Sequence, residues 1–72
     1  MSNHHRKGQK ISWTWGANSV RGHVVERFER RVQRTIEGAK IVRHGTPENP
    51  AYLVKTDEGK IALKRGSELA AE

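Results

Sequence analysis

The stretch Lys10-Ile11-Ser12-Trp13-Thr14-Trp15 decides the fold. Its apolar residues fall on every second position, so Ile11, Trp13 and Trp15 share one face of an extended strand while Ser12 and Thr14 share the other. Gly16-Ala17-Asn18-Ser19 then gathers turn formers, and Val20-Arg21-Gly22-His23-Val24-Val25 resumes a β-type composition. The three segments read as a hairpin. Gly22 sits inside its second strand, where a glycine marks a bend or a place where another element packs closely.

Working outward, the segment from Val24 to Ile36 admits two readings. Val24, Phe28, Val32 and Ile36 recur every four residues, which suits period 2 and nearly suits period 3.6. A helix is favoured by Val25 joining that stripe, by Glu26 preceding Arg30 at i,i+4, and by Gly38 at a C-cap position. A strand is favoured by the β-branched residues and by Glu37-Gly38-Ala39-Lys40 standing as a turn before Ile41-Val42-Arg43. Periodicity alone leaves both open.

Further along, Thr46-Pro47-Glu48-Asn49-Pro50 is a loop whose two prolines block continuation of either element. Ala51-Tyr52-Leu53-Val54-Lys55-Thr56 and Lys60-Ile61-Ala62-Leu63-Lys64 read as a second hairpin across the tight turn Asp57-Glu58-Gly59. Ile61 and Leu63 share a face and supply a second apolar layer. Ser67-Glu68-Leu69 predicts a serine-capped helical turn with Leu69 plugging one end of the core. Residues 1–7 are polar and basic and are expected to form a disordered arm, and residues 70–72 to fray. His4-His5 has no third ligand at a zinc-type spacing, so no metal site is expected there.

The totals bound the rest. At 72 residues the chain is one small domain, which hides only about 60% of the surface its unfolded form exposes. The expected core is Ile11, Trp13, Val24, Phe28, Leu53, Ile61 and Leu63. With no cysteine to form a disulfide or a thiolate metal site, that thin core must suffice or a second chain must help. Fourteen Lys and Arg against eight Asp and Glu give a net charge of +6 and a pI near 10.3, which favours anionic partners. No apolar run reaches the length of a membrane span and no signal core follows the basic start, so a cytoplasmic protein without membrane contact is expected.

Taken together, Lys7-Gly8, Ile11-Ser12-Trp13-Thr14-Trp15-Gly16, Gly22-His23-Val24-Val25-Glu26, Arg34-Thr35-Ile36-Glu37-Gly38, Val42-Arg43-His44-Gly45, Asn49-Pro50-Ala51-Tyr52-Leu53, Gly59, Leu63-Lys64 and Ser67-Glu68-Leu69 resemble the hypervirulence-associated Tudor-domain family. The likeness runs from about Lys7 to Leu69. Trp-x-Trp-Gly combined with Asn-Pro-Ala-Tyr and Ser-Glu-Leu is its specific part. The chain departs from the family at Gln9, where an acid is common, and at Ala17-Asn18, where glycines are common; all three positions are turns. The resemblance implies an all-β fold, a five-stranded SH3-like barrel over residues 8–69 with a short helical turn near the C-terminus. It also implies strand over 24–36, and it brings no enzymatic activity.

Function is less legible. A Tudor-type cage for a methylated cation needs several aromatic faces. Of Trp13, Trp15, Phe28 and Tyr52, the core claims at least Trp13 and Phe28, leaving two walls. Nucleic acid is the stronger reading: Arg27, Arg30, Arg31 and Arg34 concentrate charge within eight residues, Arg43 adds to them, and exposed Trp15 and Tyr52 would stack bases. The competing reading is a solvated arginine-rich strand balanced by Glu26, Glu29 and Glu37. Self-association by strand pairing or exchange along 24–43 is a third possibility. No cofactor and no catalysis are expected, because the chain is too short to wrap a large pocket and also build a core.

Overall fold

The structure is a computed structural model that describes residues 3–72. Seven strands follow in chain order: β1 (Lys10–Trp15), β2 (Asn18–Phe28), β3 (Arg31–Ile36), β4 (Ala39–His44), β5 (Ala51–Thr56), β6 (Ile61–Arg65) and β7 (Ala70–Ala71). A single 3-10 turn, Gly66–Glu68, separates the last two. The 24–36 segment is therefore strand, interrupted by a bend at Glu29-Arg30. Among the described residues no helix is long and apolar enough to cross a membrane.

All ladders are antiparallel. One sheet runs β6-β5-β2-β1-β7, and β3 and β4 form a separate two-stranded sheet. The expected single closed barrel of five strands is thus corrected to seven strands in two sheets, with β6 and β7 at the free edges of the larger one. The physical cause lies in β2. Its pairing with β5 slips between Val24 and Glu26, so that Val24 stands opposite Val54 and Glu26 opposite Leu53. Such a bulge bends the strand and increases its twist. After Phe28 the chain leaves the sheet, and β3 pairs with β4 across a two-residue turn at Glu37-Gly38, both at positive φ.

The bulge also reverses the side-chain phase. Val24 and Phe28 are an even number of residues apart, yet they enter different apolar clusters. Val24 joins Ile11, Trp13, Tyr52, Val54, Ala62 and Leu69, with Val20 packed alongside. Phe28 joins Val32, Ala51 and Leu63, flanked by half-buried Ile36, Ile41 and Leu53. Successive residues of β5 and β6 alternate between these clusters, so β5 is covered on both faces, by β1 and Leu69 on one side and by the β3–β4 hairpin on the other.

Two expected core residues change standing. Leu53 is half-buried at the margin of the second cluster, and Ile61 is 43% exposed. Ile61 does share the face of Leu63, as its spacing requires, but it lies at the start of β6, beyond the cover that the hairpin gives Leu63. Gly22 behaves as expected for a close approach. A Cβ there would overlap the Lys55 carbonyl on the neighbouring β5.

The chain ends depart from expectation. Met1 and Ser2 of the expected disordered arm lie outside the described residues, but from Asn3 onward the arm lies against the body. The Asn3 side chain donates to the Glu48 carbonyl at 3.2 Å, and His4 Nε2 donates to the Pro47 carbonyl at 2.6 Å. His5 is buried, with Nε2 at 3.2 Å from the Gly66 carbonyl. A Cβ on Gly66 would collide with the Asn3 backbone. At the other end, Ala70 and Ala71 pair with Ser12 and Ile11 instead of fraying. The turn near the C-terminus is capped by Arg65, whose N–H donates to Glu68 Oε1 at 2.8 Å. Ser67, the expected cap, exchanges two hydrogen bonds with Asn49 instead, at 2.9 and 3.0 Å.

Candidate nucleic-acid interface

Alternation along β3 sorts the arginines. Val32, Arg34 and Ile36 share its inner face, and exposed Arg31, Gln33 and Thr35 share the outer one. Arg34 and Arg31 therefore point to opposite sides of the hairpin. The Arg34 guanidinium lies over the Phe28 ring at 4.9 Å and donates to the Gln33 carbonyl at 2.9 Å. Arg30 approaches the same ring at 5.2 Å and donates to the Arg31 carbonyl at 3.2 Å. An arginine held on an aromatic face keeps its charge while its orientation is fixed. Arg27 is ion-paired with Glu29. The five arginines singled out in the sequence thus do not make one patch.

Tyr52 is not an exposed stacking face. It is fully buried, its hydroxyl accepts the His5 backbone N–H at 2.9 Å, and the His5 ring meets its ring edge-on at 5.4 Å. Trp15, by contrast, is 40% exposed. It shares a face with buried Trp13, the two ring centroids 6.4 Å apart. β1 extends past the core at this point, so alternation that buries Ile11 and Trp13 leaves Trp15 at the rim.

Trp15 opens onto a groove where β4 runs beside the free edge of β6. One recess, of about 330 Å³, is lined by Trp15, Ile41 and Ile61 with Arg43 and Lys64. A second, of about 370 Å³, continues past Ile61 to Leu53, Arg34 and Lys60. Ile36, Glu37 and Ile61 belong to both, which makes them adjoining parts of one trough. Each recess is at the low end of what encloses a drug-sized ligand. Four cations therefore line an apolar trough with one carboxylate, Glu37. None of the ion pairs among the described residues involves Arg30, Arg34, Arg43, Lys60 or Lys64. The groove can accept an anionic chain that presents flat apolar surface to Trp15 and the isoleucines.

Of the residues expected at a site, the structure brings together Trp15, Arg34 and Arg43. It puts Arg30 beside Arg34, on the Phe28 ring, and separates Arg27, Arg31 and Tyr52. Sequence reasoning missed Ile36, Ile41, Ile61, Lys60 and Lys64 as partners of Trp15. Their grouping depends on β4 approaching β6, a non-local contact with no local sequence signature.

Compared with known proteins, residues 8–69 match the family model described as "Hypervirulence associated proteins TUDOR domain". No curated protein and no solved structure matches the chain.

Proposed function

Since this chain belongs to the hypervirulence-associated protein Tudor-domain family, a family of small binding modules, we propose that it is a non-enzymatic module that binds nucleic acid along the Trp15 groove. The observation that carries this reading is the company Trp15 keeps. The one exposed ring among the tryptophan, tyrosine and phenylalanine side chains of the described residues shares a recess with Arg43 and Lys64, and Arg34 and Lys60 extend the basic margin along the adjoining recess. Stacking rings beside a basic track are what sequence-tolerant nucleic-acid binders use.

Retention of a labelled oligonucleotide across a salt series tests the reading. Four cations each meeting a phosphate give a slope of log K against log salt near −3 to −4. A flat series, or no binding to DNA or RNA at low salt, removes it.

A second reading rests on a different observation. Neither outer edge of the β3–β4 ribbon is hydrogen-bonded into the larger sheet, and β6 is an edge strand. Such edges pair with a second copy unless they are blunted by charge, as Lys40, Arg43, Lys60 and Lys64 would do here. Sedimentation at high concentration decides: a dimer supports the pairing, and an 8.2 kDa species counts against it.

A further inference from the structure

The shape and chemistry of the groove narrow the nucleic-acid reading. Trp15 offers its ring at the mouth of a trough floored by Ile36, Ile41 and Ile61. Inside a duplex the faces of the bases are already stacked on one another, and only the charged backbone and the groove edges are presented outward. An apolar floor with one stacking ring matches the opposite case, a strand whose bases are unpaired and free to lie flat on protein. The cations flank that floor along its length, Arg43 and Lys64 beside Trp15 and Arg34 and Lys60 at the far recess. They are placed for a backbone that runs along the trough while its bases turn inward.

Arg34 is the most constrained of these cations, held over Phe28 and by the Gln33 carbonyl. It and Arg30 are drawn to a single ring, and neither has a carboxylate partner among the described ion pairs. Of the two, Arg34 is the one that lines the trough, so its charge is the one held ready for an anion there.

We infer that the groove takes single-stranded RNA or DNA in preference to duplex, with an unpaired base stacked on Trp15 and backbone phosphate received by the Phe28-anchored Arg34. This rests on the nucleic-acid reading above and narrows it. The competing mode is a duplex read by the outer face of the hairpin, where Arg31, Gln33 and Thr35 are exposed, since a two-stranded ribbon fits a major groove.

The test is fluorescence anisotropy of the full chain with a short labelled oligothymidylate, free and annealed to its complement, for the native protein, Trp15→Ala, Trp15→Phe, Arg34→Gln and Arg31→Gln. The single strand is expected to bind at least ~10-fold tighter than the duplex, with Trp15→Ala losing ~5- to 150-fold for one stacked base and Trp15→Phe losing less. Arg34→Gln lowers the salt slope by about 1 and Arg31→Gln leaves it unchanged. Duplex binding as tight as the single strand, or an Arg31→Gln loss as large as that of Arg34→Gln, overturns the single-strand assignment while leaving nucleic-acid binding intact. Absence of binding to either probe at low salt overturns both.

Discussion

The Tyr52 hydroxyl accepts the backbone N–H of His5 at 2.9 Å across 47 positions of chain, tying the N-terminal arm to the interior strand β5. Tyr52→Phe keeps the ring and removes the acceptor, leaving a buried N–H without its partner. The expected loss is roughly 1–3 kcal/mol in denaturant unfolding. Stability unchanged within about 0.5 kcal/mol, the range of an indifferent surface substitution, would show that the arm is not strapped in this way.

Gly22→Ala tests the close approach of β2 to β5. The new Cβ overlaps the Lys55 carbonyl, and backbone, unlike a side chain, cannot turn aside. A loss of about 1–3 kcal/mol or more is expected from overpacking, measured as a lowered urea midpoint. An alanine variant as stable as the native protein would contradict the packing described.

The sequence made some of this legible for plain reasons. β1 is read correctly because it is buried on one face only, and its alternation survives from Ile11 to Trp15. The region from Val24 to Ile36 resists the same reading because a bulge and a bend each reset the phase, so Val24 and Phe28 look like one stripe while serving two clusters. Tyr52 reads as available because aromatics flanked by apolar residues give no facing signal when both faces of a strand are covered. The arm reads as disordered because its composition is polar, yet it is held through the carbonyls of Pro47, Glu48 and Gly66, which composition does not reveal. The candidate site was half legible: Trp15, Arg34 and Arg43 stand out by residue type, whereas Lys60, Lys64 and the isoleucine floor are assembled only by the fold.

Ile61 separates stability from binding. Being 43% exposed, it tolerates Ile61→Ser with a stability change of about 1 kcal/mol or less. Because it belongs to both recesses, the same change weakens oligonucleotide binding. A variant that loses stability heavily would instead make Ile61 a core residue, and one that binds as the native protein does would remove it from the groove.

Arg43 and Lys64 are expected to act through charge. Arg43→Gln and Lys64→Gln each lower the salt slope of binding by about 1, and Arg27→Gln, already paired with Glu29, lowers it less. Equal effects at all three positions would mean that net charge, and not the groove, sets affinity.

The most direct measurement is an NMR titration of isotope-labelled protein with a short single-stranded oligonucleotide at low salt. The Trp15 indole and the backbone amides of Arg34, Ile36, Ile41, Arg43, Ile61 and Lys64 should shift together and saturate at one ratio, while the buried Trp13 indole moves less and the Asp57-Glu58 turn stays still. A spectrum that does not change, or shifts confined to Arg31, Gln33 and Thr35, would contradict the groove as the binding surface.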